Sequence, residues 1–217
     1  MEIAKQHDKQ NNQVLIYRRH LEDLSTLLSH YGYSIKAYRD SSMPLFQKLT
    51  AKDQENVIKT LEAYLYALRS EYLQENFSSE RFVIQFLFRI GILPTDDIHE
   101  TIRQEKYIQI YNSDQIQIFR SLACYERCSF TLEQMTTRTW YELWERDSFF
   151  YYACFGLAAT ALRFMKFTKL KLDFPYHRVT ELDSTESYSF DYKIKSLSAL
   201  TRQGKLQAAL LVEDWKF

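Results

Sequence analysis

The 217-residue sequence predicts an α+β protein, an N-terminal α-helical bundle followed by a five-stranded antiparallel sheet with flanking helices. Up to Pro94 the apolar residues recur three and four apart, which is the spacing of one helix face. From Tyr107 onward they gather in short β-branched and aromatic runs. The clearest is SYSFDYKIKSL, where Tyr188, Phe190, Tyr192 and Ile194 alternate with polar residues, the period of a half-buried strand. Composition agrees with both signals. Aromatic residues make up 16% of the chain against four Gly and three Pro, so the core is expected to be built from rings and the loops to be few.

Residues 1–12 are polar and without period and are expected as a flexible N-terminus. Val14, Tyr17, Leu21, Leu24, Leu28 and Tyr31 then line one stripe of a helix that stops at Gly32. Such a stripe serves an intramolecular bundle or a dimer, and Val14, Tyr17, Leu21, Leu24 and Leu28 are the expected dimer interface. A second helix is expected over 34–49, interrupted near Met43-Pro44. Thr50 opens a third, with Asp53 where a capping box carries Glu, and Val57, Leu61, Tyr64, Leu65, Leu68 and Tyr72 follow at helical spacing. Ser78-Ser79 opens a fourth, RFVIQFLFRIGI, which is apolar nearly all round and belongs at the centre of the bundle. Gly91 and Pro94 end it. The bundle is thus expected over 13–94 and a second domain over 95–217, led by a connector helix at 95–105.

In that second domain strands are expected at 107–112 and 116–121, joined by Asn112-Ser113-Asp114-Gln115, whose side chains favour turns by bonding to nearby backbone. Helices follow at 121–128, at 131–144 with Thr131 and Gln134 in capping-box positions, and at 147–165. Strands at 171–182, 187–197 and 205–217 close the chain, the last entered through Gln203-Gly204.

Several function classes are disfavoured by what the sequence carries. Twenty-eight basic and twenty-eight acidic side chains cancel, so no global field draws the protein to nucleic acid or an anionic membrane. KFTKLKLD, with Lys166, Lys169 and Lys171 near aromatic residues, reads as a solvated edge. FFYYACFGLAATALRF falls short of the roughly 20 apolar residues of a membrane span, ends near Arg163 and reads as a buried helix. Three cysteines without a signal peptide point to a reducing compartment and a cytoplasmic protein. Cys124 and Cys128 share one helix face but lack a second pair, so no metal is expected. His20 reads as a solvated histidine, since nothing after it resembles a kinase. No phosphate loop, nucleophile elbow or H-E-x-x-H occurs. The pairs Asp96-Asp97 and Glu213-Asp214 are adjacent and point apart, so they cannot serve as an acid and base on one substrate. No catalysis is expected.

The C-terminal half resembles a PAS domain. Two strands, several short helices, one longer helix and three antiparallel strands is the PAS order of elements. IYNSDQIQIFRS is similar to the opening PAS hairpin, CSFTLEQMTTRTWYELWERD to the helical stretch that follows, and QAALLVEDWKF to the final strand. The chain departs from the family at Arg120, where many members carry Asn, and at Cys128, where Gly is common. The Asn-Cys-Arg-Phe-Leu motif of photochemical flavin members is absent, and no cofactor is expected. The resemblance implies a curved sheet cradling helices, with a pocket between them for a small apolar or aromatic molecule. The strand face carrying Phe190 and Tyr192 must then look toward the long helix. Tyr152, Phe155, Ala159, His177, Phe190 and Tyr192 are the expected ligand-binding residues, with Tyr192 supplying a polar contact. The function so implied is a cytoplasmic signalling or regulatory protein, a homodimer with a protein partner, acting by ligand- or partner-dependent association. A second reading is a non-catalytic interaction or scaffold protein whose PAS-like half binds only protein.

Overall fold

The structure is a computed structural model that describes residues 2–146, 156, 160, 169–172, 175–182 and 187–217, with side chains from residue 11 onward. Helix α1 spans Glu2–His30, so residues 2–12, expected as a flexible terminus, are instead its first turns. Its stripe is spent inside the chain. Tyr17, Leu21, Leu24 and Leu28 are buried and Val14 is partly buried against the same core. Tyr17 stacks on Phe46 with ring centroids 4.0 Å apart, and its hydroxyl lies 2.7 Å from that of Thr136. The surface expected to form a dimer seam is thus covered by this chain's own residues, which corrects that expectation.

The helix expected over 34–49 is also corrected. Only α2 (Pro44–Gln47) is helical there, because Met43 adopts φ 56 and the residue before a proline is barred from the helical region. The irregular segment ahead of it lends the carbonyls of Lys36 and Ala37 to the N–H groups of Leu132 and Glu133, at 2.9 and 3.0 Å. Helix α3 (Ala51–Tyr72) starts where its cap predicts, the Thr50 hydroxyl accepting from Asp53 N–H at 3.2 Å. Helix α4 (Ser79–Arg89) is capped by Ser78 in the same way. Buried Glu71 joins the two helices. It accepts Arg81 on both carboxylate oxygens at 3.0 Å and the N–H of Ser78 at 2.9 Å. Helix α5 (Asp96–Gln104) leads into the sheet.

Seven antiparallel strands follow among the described residues: β1 (Tyr107–Asn112), β2 (Gln117–Arg120), β3 (Trp144–Arg146), β4 (Lys169–Lys171), β5 (His177–Glu181), β6 (Ser189–Arg202) and β7 (Lys205–Lys216). They lie in the order β2-β1-β7-β6-β5-β3, with β4 also on β6. Strands stand within the five expected ranges, but the one expected over 171–182 is not continuous: Lys171 ends β4 and β5 begins only at His177, while β3 is an addition. At three residues each, β3 and β4 are too short to show alternation. Turns behave as their residues dictate. The Asn112 side chain accepts from Asp114 and Ile116 N–H, and Gln203-Gly204 takes positive φ at both positions, as a tight hairpin requires. The region 121–128 holds a 3₁₀ turn, Leu122–Tyr125, and the expected helix 131–144 is broken into α6 (Leu132–Thr137) and α7 (Trp140–Leu143). Each has its own capping box, Thr131 with Gln134 and Thr139 with Glu142, so the second box restarts the helix. The helix expected at 147–165 lies outside the described residues except for Gly156 and Thr160, which are helical.

Register separates the two faces of the sheet. Ile108, Ile110, Phe119, Leu210 and Val212 share one face, and Gln109, Tyr111, Arg120 and Glu213 share the other. Helices α3 and α4 cover the first, where Phe119 meets Tyr64, Phe82 and Phe86 at centroid distances of 5.2, 4.9 and 4.9 Å. The second, inner face is turned to the 3₁₀ turn and α6. One continuous apolar core runs from Tyr17 to Trp215, so the change of period after Pro94 marks a change of element type on a shared core.

Leu21→Ala is expected to lower stability by about 2–5 kcal/mol and Phe119→Ala by about 3–5 kcal/mol. Denaturant unfolding at two protein concentrations checks the first. A Leu21→Ala deficit that appears only on dilution would restore an intermolecular seam. Hydrogen exchange checks the second, with amides of α3 and β7 expected to lose protection together.

Candidate functional site

The inner face concentrates the buried polar chemistry of the molecule. On β7, Glu213 accepts the Tyr192 hydroxyl at 2.7 Å on one carboxylate oxygen and the Trp215 indole N–H at 2.9 Å on the other. Cross-strand pairing places this group: Tyr192 lies opposite Trp215, and Ile194 opposite Glu213. Alongside, the Tyr111 hydroxyl donates to Gln109, whose oxygen also accepts from the Gln117 amide. On the far strands Arg146 Nη1 lies 2.7 Å from His177 Nε2. Arginine can only donate, so Nε2 accepts and the imidazole is neutral with its proton on Nδ1. The same guanidinium sits 4.7 Å from the Tyr192 ring centroid. Burial pushes the Glu213 carboxyl up to about 7, against the opposing pull of its two donors and of Arg120 and Arg146.

Rings close most of this face. Phe190 packs on Trp215 at 4.7 Å and on Trp144 at 5.6 Å, and the cavity left among Tyr111, Arg146, Tyr192 and Glu213 is about 10 Å³, room for about one water. His177, Phe190 and Tyr192, three of the expected ligand-binding residues, are brought together there and are buried. Tyr152, Phe155 and Ala159 lie outside the described residues. Tyr192, expected to offer its hydroxyl to a ligand, donates it to Glu213 within the chain.

A larger cavity, about 50 Å³, lies at the seam where α1, α3 and α6 meet the edge strand β2. Its walls are mainly apolar, with Leu24, Val57, Leu61, Ile116, Phe119 and Leu132 among them. Tyr64, Tyr125 and Arg120 add polar groups, and the Tyr64 hydroxyl donates to the Arg120 carbonyl at 2.7 Å. At Asn56, Thr60, Asn112 and Ile118 it adjoins a groove of about 510 Å³ that carries Lys59, Arg89 and Arg202. Gly91 sits against that last arginine: a side chain at this position, already at φ +79, would come within 3.2 Å of the Arg202 guanidinium.

Arg120 is the unusual residue of the inner face beside the seam. It is 2% exposed, and its Nη1 donates only to sulfur, Met135 Sδ at 3.1 Å and Cys128 Sγ at 3.3 Å. Its Nε and Nη2 have no hydrogen-bond partner among the described residues. Sequence reasoning marked Arg120 only as a departure from a family pattern and passed over Arg146 altogether. A strand arginine ordinarily reads as solvent-facing, and the inward register of Arg120 follows only from its pairing with Gln109.

Other chemistries find no built site. Among the described residues no group of three His, Cys, Asp or Glu could hold a metal, and no helix is long and apolar enough to cross a membrane. Cys124 and Cys128 are free thiols, and burial pushes Cys124 up to about 12, far from nucleophilic. No protein-family model matches the chain, and no curated protein matches it.

The raised Glu213 carboxyl fixes a sign for the pH response. Its folded value lies above the ordinary unfolded one, so its contribution to stability is full below about pH 4.5 and is lost as pH rises through about 7. Glu213→Gln is expected to remove that loss, worth up to about 3 kcal/mol between pH 5 and pH 8. Urea unfolding at both pH values measures it. An unchanged difference between the two would place the titration on another group.

Proposed function

We propose that this chain is a non-catalytic regulatory module of PAS-like type, acting in the cytoplasm. In this reading a small molecule or a protein partner changes how the helical segment sits on the sheet, and thereby how the protein associates. The observation that carries the proposal is the seam cavity, walled jointly by the helical segment and by β2 and α6, so that an occupant bears on both. Hydrogen bonds cross that seam at several points, among them the Tyr64 hydroxyl on the Arg120 carbonyl and the N–H groups of Leu132 and Glu133 on the carbonyls of Lys36 and Ala37. Glu133 accepts the N–H groups of Leu45 and Phe46 at 3.0 and 3.3 Å, and Tyr17 meets Thr136. The element order of the C-terminal half also supports a PAS-like reading: a hairpin, short helices and then the antiparallel strands β5, β6 and β7 in one sheet with it. Homodimerisation would have to use a surface other than the α1 stripe, which is buried.

A second reading, a scaffold that binds only protein, is favoured by the inner face, where the chain's own rings leave room for about one water. Native mass spectrometry of the purified chain and thermal shift against a metabolite library separate the two. The regulatory reading expects a retained small molecule or a compound that raises the melting temperature by mass action. Thr60→Phe, placed at the mouth of the seam cavity, should abolish that response while changing stability by about 1–3 kcal/mol. A chain that retains nothing and responds to no compound leaves the scaffold reading.

A further inference from the structure

We infer that the seam cavity is a binding site for a small neutral aliphatic alcohol, its hydrocarbon body among Leu24, Val57, Leu61 and Leu132 and its hydroxyl between the phenol oxygens of Tyr64 and Tyr125. The inference deepens the regulatory reading and rests on it for the role of the site. Both tyrosines are buried and belong to the cavity wall. Their oxygens lie 3.5 Å apart, whereas an O–H···O bond is ordinarily about 2.7–2.8 Å long. The Tyr64 proton is committed, since that hydroxyl donates to the Arg120 carbonyl at 2.7 Å. The Tyr125 hydroxyl is thus left with the long contact as its hydrogen bond among the described residues, and a buried hydroxyl so placed gains from a nearer acceptor.

A ligand hydroxyl seated between the two oxygens accepts from Tyr125 and donates to a lone pair of Tyr64, so one group completes both. That double role selects the functional group. A carboxylate accepts but brings no proton, and an ammonium donates but cannot accept. Tyr125 cannot adapt by losing its own proton, because burial pushes it up to about 12. Charge is disfavoured on a second ground. The charged residues of the wall are Asp53 and Arg120. Asp53 stands at the α3 cap, where its carboxylate accepts the Thr50 hydroxyl at 2.6 Å, and register turns the Arg120 side chain to the inner face while its carbonyl stays at the seam. An ion seated among Leu24, Val57, Leu61 and Leu132 would give up hydration that no side chain there restores.

Size bounds the body of the ligand. A cavity of about 50 Å³ holds about three to five water positions, which suits about four to six non-hydrogen atoms, from propanol to isopentanol. A water between the two oxygens would make the same hydrogen bonds. The alcohol exceeds it by covering the apolar wall, so its affinity should rise with each added methylene until the cavity is full.

Titration of the full chain with ethanol, 1-propanol and isobutanol, followed through amide chemical shifts, tests this against isobutyrate and isobutylamine, an anion and a cation of matching size. The alcohols are expected to shift amides of α3, β2 and α6 saturably, with affinity rising about fourfold per methylene. Both ions should bind at least tenfold more weakly than isobutanol. Tyr125→Phe keeps the ring and removes the donor, and should weaken isobutanol at least fivefold, with its fold checked by the same spectrum. If that variant does not fold, Thr60→Phe at the half-buried mouth decides, and should block isobutanol. Isobutanol that produces no saturable shift at those amides, ions that bind as tightly as isobutanol, or a folded variant that binds isobutanol unchanged would each overturn the inference. In those cases a different molecule retained in native mass spectrometry, or a library compound that raises the melting temperature, would leave the regulatory reading standing. A chain that retains nothing and responds to no compound would end both.

Discussion

Strand β1 is buried on both of its faces, and most of the architecture follows from that constraint. A strand in this position needs two covering layers, and its pairing along β7 means the whole centre of the sheet inherits the requirement. Helices α3 and α4 meet the demand on one side with Phe82, Phe86 and Tyr64 around Phe119. The short elements after β2 meet it on the other. The helical segment is therefore a wall of the sheet's core, and its own core is completed in turn by residues such as Leu132 and Phe119.

The two covers differ in chemistry. Outside, the interface is aromatic and aliphatic, with Tyr64 finding its polar partner in a backbone carbonyl. Inside, the sheet presents Arg120, Arg146, Glu213, Gln109 and two tyrosines, and every hydrogen bond between them constrains rotamers as well as register. Carboxylates that tie segments together do so in a recurring way. Glu71, Glu133 and Glu181 each accept backbone N–H groups, Glu71 from Ser78 just after its own helix and the other two from segments far along the chain, so each fixes a loop by its main chain, whatever side chains that loop carries.

What could be read beforehand tracks the length of each pattern. The stripe from Tyr17 to Leu28 and the alternation from Phe190 to Ile194 span enough residues to declare both element and buried face, and the caps at Thr50, Ser78 and Thr131 stand where their side chains predict. The same stripe could not say which chain would cover it, because Phe46 and Thr136 approach from segments whose placement depends on tertiary structure. Trp144–Arg146 and Lys169–Lys171 are too short for any period. The seam cavity was illegible for a further reason: its walls come from α1, α3, β2 and α6, and nothing local to Leu24, Val57 or Arg120 announces that they converge.

The position of β7 carries a consequence for how the molecule is made. It is the latest of the strands in chain order, yet it lies between β1 and β6 and pairs with both along most of its length. During synthesis β1 and β2 leave the ribosome as a hairpin, and strands β3 to β6, which pair among themselves, can be joined to it only by one still to come. Only the helical cover can shield Ile108, Ile110 and Phe119 in that interval, on one face alone, while the edge of β1 that β7 will occupy stays open to other chains. Nascent protein stalled before residue 205 would thus have its sheet in two unjoined pieces, β1 with β2 and β3 to β6 with one another, and any quality-control factor that engages it would find the exposed edge of β1.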